Sequence, residues 1–329
     1  MSQVFLLFSL AAAVLPAVLY LLVIWRLDRY EREPFWLTAG VFAYGATVAV
    51  FLGVMGSLLG IGVGVVLGLE VDDVFTAVIV APLAEEPAKG LILLLLLLGR
   101  HFDNTTDGLV YGSATGLGFA MTENFFYFLD PYHAGDYEAW KSLVMVRVLF
   151  SALMHCTASA ALGAVLGRYR FRSVVQQWVL APLLGLLIAI SIHAAFNGLL
   201  MATVETGDEV YGMAALVLVP ALVVLLFMVI QFSLAAEHQV IKRELLEEAR
   251  AGVLPFEHAA IIPYVRRRRG DHWLPPGVDK DAYVKAATLL AFRRHQARLR
   301  GHATGSANPE IHALRLELFA MLGPDGFER

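Results

Sequence analysis

Glu85, Glu86 and Lys89 stand in an otherwise apolar run, Val78 to Leu98, so two carboxylates and an ammonium share little more than one helical turn. A charged side chain at bilayer depth costs about 3 kcal/mol or more, so such groups are rare there and by default mark functional sites. Further apolar runs carry Glu123 with Asn124, then His155, then His193 with Asn197. Carboxylate and imidazole together can activate water by general base catalysis, and an amide or imidazole N–H can stabilise an oxyanion. Two histidines and a carboxylate from separate helices can instead hold Zn²⁺ with one position open to water. The soluble zincin pattern H-E-x-x-H, the nucleophile elbow G-x-S-x-G and a Walker phosphate loop are all missing from the sequence, which leaves those routes without their residues.

Spacing sets these groups up to cooperate. Glu85 and Lys89 are i,i+4, while Glu86 and Lys89 are i,i+3, so the ammonium can neutralise one carboxylate and free the other. Glutamate N-terminal to lysine at i,i+4 is the better orientation, which favours Glu85 as the partner and Glu86 as the base. Taken singly, each residue has a plainer reading. A transmembrane His or Asn usually bonds a neighbouring helix, and a buried Glu–Lys pair can simply fix packing. The case for a site is convergence: three carboxylates and two histidines on four helices exceed what packing requires.

Seven apolar runs are long enough to position them, each near the roughly 20 residues that a spanning helix needs. They are 4–25, 35–58, 74–98, 108–128, 142–167, 177–203 and 212–236. Pro82 and Pro87 bracket the carboxylate pair and remove two backbone N–H groups, leaving the carbonyls of Val78 and Leu83 without helical partners. Such freed backbone is tolerated in a membrane only beside protein or a wet cavity. Glycines 53, 56, 60, 62, 64 and 68 fit close helix packing. At about 1.5 Å per residue, Glu85 and Glu86 lie roughly 17–18 Å from the external end, Glu123 roughly 8–9 Å, His155 roughly 20 Å and His193 roughly 15 Å. They form one band, within which tilt must close the roughly 11 Å between His155 and Glu123.

The 329 residues are 58% hydrophobic and 16% charged, against about 25% charged in soluble domains, so the chain reads as an all-α, polytopic transmembrane bundle. Its single cysteine, Cys156, excludes an internal disulfide and a Cys-based zinc cluster. Of 25 Lys and Arg, 15 follow residue 236. Arginines in loops 26–34, 99–107 and 168–176 alternate with acidic loops on the opposite side, which places the N-terminus outside and the C-terminus in the cytoplasm. Residues 1–236 form the membrane domain and 237–329 a small, basic, helical cytoplasmic tail. The cluster Arg266–Arg269 suits anionic lipid headgroups rather than nucleic acid.

Glu85-Glu86-Pro-Ala-Lys89, Asp107-Gly-Leu-Val-Tyr-Gly112, Gly118-Phe119-Ala-Met-Thr-Glu123-Asn124, His155 and His193-Ala-Ala-Phe-Asn197 follow one another in an order that resembles the PrsW family of bacterial intramembrane proteases. The likeness covers roughly residues 74–200 and leaves out the tail. The wider CAAX-protease and bacteriocin-processing group carries EExxxR, FxxxH and HxxxN, and Lys89 and Glu123 point away from it to the PrsW branch. The resemblance implies a bacterial plasma-membrane protease that cuts a membrane-anchored protein, such as an anti-sigma factor, near the external side. On this reading Glu85 or Glu86 is the base. His155 and His193 are metal ligands or position the water, Glu123 is the third ligand or a histidine partner, and Asn197 donates to the oxyanion. Two other classes stay open from sequence: a proton-coupled transporter or channel, since intramembrane Glu/His/Lys chains also build relays, and an inactive membrane scaffold.

Overall fold

The computed structural model describes residues 3–134, 136–270, 272–302, 304–305 and 307–323, and every regular element among them is helical. The described chain falls into two compact units, residues 1–27 with 33–230, and residues 28–32 with 231–329.

The first unit contains α1 (Gln3–Leu27), α2 (Phe35–Val66), α3 (73–96), α4 (Thr105–Ala134), α5 (Tyr137–Arg168), α6 (Gln176–Thr206) and the start of α7 (Glu209–Arg250). Five of these, α1, α2, α5, α6 and α7, are long and apolar enough to cross a membrane. The expected runs at 74–98 and 108–128 are helical as α3 and α4, but they carry the polar load. Glu85, Glu86 and Lys89 interrupt α3, and glycine, serine and threonine dilute α4. Length and apolarity therefore single out five spans rather than seven.

The polar helix α4 packs most extensively on α5, along glycines spaced one turn apart. A methyl group on Gly112 would lie 2.2 Å from the Ser159 carbonyl oxygen, and one on Gly116 would lie 2.4 Å from that of His155. Only glycine lets the two backbones approach this closely. The expected glycine face of α2 packs in a similar way on α3, with Gly56 against Ala84 and Gly60 against Val80.

Four helices contain π-helical turns, at Gly45–Ala49, Thr76–Val80, Arg147–Ser151 and Gln176–Leu180. Turns of this kind often mark functional sites. In α3 the cause is legible. The Ala81 N–H reaches back to the Thr76 carbonyl, five residues away. In that register the Ala77 carbonyl would look to Pro82, which has no N–H. The orphan that an α-register places at Val78 thus moves to Ala77, and the Asn197 amide fills it from α6, Nδ2 donating to the Ala77 oxygen at 2.8 Å.

The second unit comprises the end of α7, α8 (Phe256–Ile261), α9 (Lys280–Leu299), α10 (Pro309–Leu322) and the segment 28–32. Its core contains Ile241, Leu245, Tyr283, Leu290, Ile311 and Leu318. Two fully buried carboxylates on α7 are satisfied by arginines: Glu244 by Arg298 at 3.0 Å, and Glu248 by Arg294 and by Arg315 at 2.7 Å. Asp279 and Asn308 cap α9 and α10 through side-chain oxygens that accept the first free N–H groups.

Candidate active site

Four helices bring Glu85, Glu86, Glu123, His155 and His193 together. On α3, Lys89 Nζ donates to Glu86 Oε1 at 2.6 Å and to His155 Nδ1 at 2.9 Å, while Glu85 Oε2 lies 3.7 Å away. The sequence-based pairing of Lys89 with Glu85 is thus reversed in strength. Glu86, with no exposed surface, points into the bundle and takes the short contact, and its Oε1 also accepts from His193 Nδ1 at 2.8 Å. Glu85 retains some exposure, and its Oε2 is a buried oxygen without a hydrogen-bond partner, 3.9 Å from His193 Nε2.

The histidine tautomers follow from these partners. An ammonium can only donate, so His155 Nδ1 accepts from Lys89 and its Nε2 carries the proton, donated to Glu123 Oε2 at 2.8 Å. A carboxylate can only accept, so His193 carries its proton on Nδ1, towards Glu86, and presents a bare Nε2 to Glu85. The imidazole rings stand edge to face with centroids 4.8 Å apart. Phe119 closes one side, 4.3 Å from the ammonium and 5.4 Å from the His155 ring.

The glycine contacts set Gly116 level with His155, so Glu123 sits two turns further along α4 and the pair meets at 2.8 Å through the reach of the two side chains. Glu123 has a basic partner supplied by α5: an Arg147 terminal nitrogen lies 2.8 Å from Glu123 Oε2. The same guanidinium stacks on the Tyr127 ring at 3.6 Å, and its Nε donates to Asn124 Oδ1 at 2.8 Å. Asn124 therefore orients Arg147. Sequence reasoning missed Arg147, although a cation within the apolar run 142–167 was the available signal. Asn197 stands outside this cluster of charges, with its amide on the Ala77 carbonyl.

Among the described residues, Glu85, His155 and His193 form a group that could hold a metal ion, their ligand atoms all within 4.8 Å of one another. Two of the three also fit chemically, while His155 has both ring nitrogens engaged, Nδ1 by Lys89 and Nε2–H by Glu123. Glu85 offers an unpartnered buried oxygen, and His193 offers a bare ring nitrogen whose opposite N–H is fixed by a carboxylate. Carboxylate–histidine pairs of that kind orient metal ligands generally.

The family model described as PrsW family intramembrane metalloprotease matches residues 33–229. The chain belongs to this family. Curated relatives carry the same name. Protease PrsW of Clostridioides difficile (strain 630) is 28% identical over 193 residues, 57% of this chain and 77% of the relative. Protease PrsW of Bacillus subtilis (strain 168) is 25% identical over 197 residues, 59% and 83% of the two chains. That of Geobacillus kaustophilus (strain HTA426) is 26% identical over 202 residues, 61% and 83%. No solved structure gives a significant match. The protein is thus a membrane-embedded peptidase acting on a protein substrate within the membrane, and the match encloses every residue of the cluster.

Proposed function

We propose that this PrsW-family protease hydrolyses a peptide bond of a membrane-anchored protein near the external face, using a water activated by the Glu–His cluster. The observation that carries the reading is the placement of Glu85, His155 and His193 with their ligand atoms within 4.8 Å of one another. These three would hold one divalent ion, of which Zn²⁺ suits an N/O donor set. Once bound, the ion would supply a Lewis acid and a water whose pKa is lowered to about 7.

The surrounding residues have separable roles. Glu86 holds His193 in the Nδ1–H tautomer through its 2.8 Å contact. Lys89 balances the charge of Glu86 and Glu85, and its ammonium would leave His155 Nδ1 for that nitrogen to take the ion, with the Nε2–H staying on Glu123. Glu123, with a side chain 23% exposed against 14% for Glu85 and none for Glu86, is the carboxylate best placed to take a proton from the attacking water. Arg147 aims it through the 2.8 Å contact. Relative to the roles read from sequence, Glu85 replaces Glu123 as the third ligand, Glu123 replaces Glu86 as the favoured base, and Asn197 anchors the π turn ahead of Glu85.

The same reading keeps seven membrane crossings, with α3 and α4 as the two that carry the polar residues. It also keeps an external N-terminus and a cytoplasmic helical tail from about residue 237, close to the boundary between the compact units. An anti-sigma factor is the substrate class that the family resemblance implies.

Metal analysis of purified, active protein tests the site. The expected content is about one divalent ion per chain, lost in Glu85→Gln, His155→Ala and His193→Ala and retained in Glu123→Gln, with proteolysis lost in all four. Full proteolysis by chelated protein that holds no stoichiometric metal would remove the metal from the mechanism. Metal lost in Glu123→Gln and kept in Glu85→Gln would return Glu123 to its sequence-based role as third ligand.

A further inference from the structure

The tail unit contains a cavity of about 330 Å³ whose lining includes Tyr30, Arg268, Arg269, Lys280, Asp281 and Lys285. Four cationic side chains face it against one carboxylate, so its net charge is positive. Two of the cations are already fixed. Arg268 donates through Nη2 to the Arg29 carbonyl at 3.0 Å and lies 5.7 Å from the Tyr30 ring, while Lys280 Nζ donates to the Arg269 carbonyl at 3.0 Å. The side chains of Arg269 and Lys285 are exposed and make no hydrogen bond or ion pair with any described residue. Cations that ignore the neighbouring protein but share a cavity are placed for an anion from outside.

The covalent chain says where that anion comes from. Tyr30 stands three residues after the end of α1 and five before the start of α2. An extended chain spans at most about 3.6 Å per residue, so the Tyr30 wall stays within about 11 Å of the end of α1, a helix apolar enough to cross a membrane. Aromatic residues mark the interface on that side: Trp25 and Phe35 meet with ring centroids 5.4 Å apart, and Trp36 is 69% exposed. The phosphates of the bilayer surface are therefore the anions within reach.

The geometry points to a headgroup site: the cavity walled by Tyr30, Arg268, Arg269, Lys280 and Lys285 binds the phosphate of an anionic membrane lipid. Clusters of Lys and Arg next to a transmembrane helix attract anionic lipid through the surface charge alone. A cavity that gathers four cations adds selectivity for a phosphate in a defined place. The site lies outside residues 33–229 and does not depend on the protease chemistry.

Native mass spectrometry of the full-length chain in detergent, titrated with dioleoylphosphatidylglycerol, dioleoylphosphatidylcholine or inorganic phosphate, tests this. The variants are R269E/K285E and, as a control with the same change in net charge at exposed residues outside the cavity lining, K242E/R250E. Because the Arg269 and Lys285 side chains bond to no described residue, their substitution leaves the protein folded, which an unchanged unfolding temperature verifies. The expected result is at least about tenfold weaker phosphatidylglycerol binding in R269E/K285E only, with phosphatidylcholine bound weakly throughout. Equal losses in both double variants, or equal affinity for the two lipids, overturns the headgroup site. Displacement of the lipid by inorganic phosphate at comparable concentration overturns the lipid as its occupant.

Discussion

Lys89 gives the sharpest test of how the cluster holds together. Its ammonium has no exposed surface and lies 2.6 Å from Glu86 and 3.7 Å from Glu85. With an effective dielectric constant of about 20, these contacts correspond to about 6 and about 4 kcal/mol of attraction. Lys89→Met removes both and leaves two buried carboxylates with histidines for company. The loss has a ceiling, because a carboxylate can take up a proton, which for an ordinary one at pH 7 costs about 4 kcal/mol. Removal of one buried partner costs about 3–5 kcal/mol in comparable pairs, in agreement with that ceiling. At roughly 2–4 °C per kcal/mol for a unit of this size, the unfolding temperature should fall by about 10 °C. The protein supplies its own reporter: Cys156, its single cysteine, is 1% exposed and reacts with a thiol dye only once the bundle opens. Neutralising the stranded partner should rescue the fold, so Glu86→Gln/Lys89→Met should recover at least half of the lost stability while staying inactive. An unchanged unfolding temperature in Lys89→Met, or a double variant no more stable than the single one, would refute the ion-pair account.

Three further outcomes follow from single contacts. Arg147→Lys keeps the charge near Glu123 but loses the fork on Asn124 and the stacking on Tyr127, so kcat should fall about tenfold or more with the unfolding temperature nearly unchanged; wild-type kcat would show that charge alone suffices. Asn197→Ala orphans the Ala77 carbonyl and should cost about 1 kcal/mol of stability with less than about tenfold loss of kcat, whereas a loss of hundredfold or more would restore the amide as an oxyanion donor. In the tail, burial lowers the pKa of His258, whose Nδ1 meets the Tyr283 hydroxyl at 2.9 Å. The unfolded chain then binds the extra proton first, so the tail should lose stability as pH falls below about 6.5. Denaturation followed through Trp273, whose ring lies 5.1 Å from His258, should show this slope in the wild type and lose it in His258→Phe.

Much of this protein is legible in its sequence because a membrane makes local rules strict. Runs of apolar residues near 20 long must be helices, since backbone polar groups in lipid need internal partners. Charged residues in those runs must have a use, which brings forward Glu85, Glu86, Glu123, His155 and His193 before any coordinate is known. Proline chemistry likewise announces a disturbed helix ahead of Glu85. The partner of each group is a different matter, because it depends on which helices touch and at what height. The i,i+4 rule favours Lys89 with Glu85, but that rule holds for an isolated helix surface. In the bundle the buried face of α3 carries Glu86, and His193 on α6 and His155 on α5 reach the same oxygen and the same ammonium. Rise per residue separates His155 from Glu123, and the close approach of α4 to α5 keeps that offset, which the two side chains span to meet at 2.8 Å. Arg147 gains its role only through that same approach, which places it beside Glu123. Sequence alone determined which polar groups interrupt the apolar runs, because the cost of burying them is a property of each residue. The tertiary structure decided which of them meet, because pairing is a property of packing between helices.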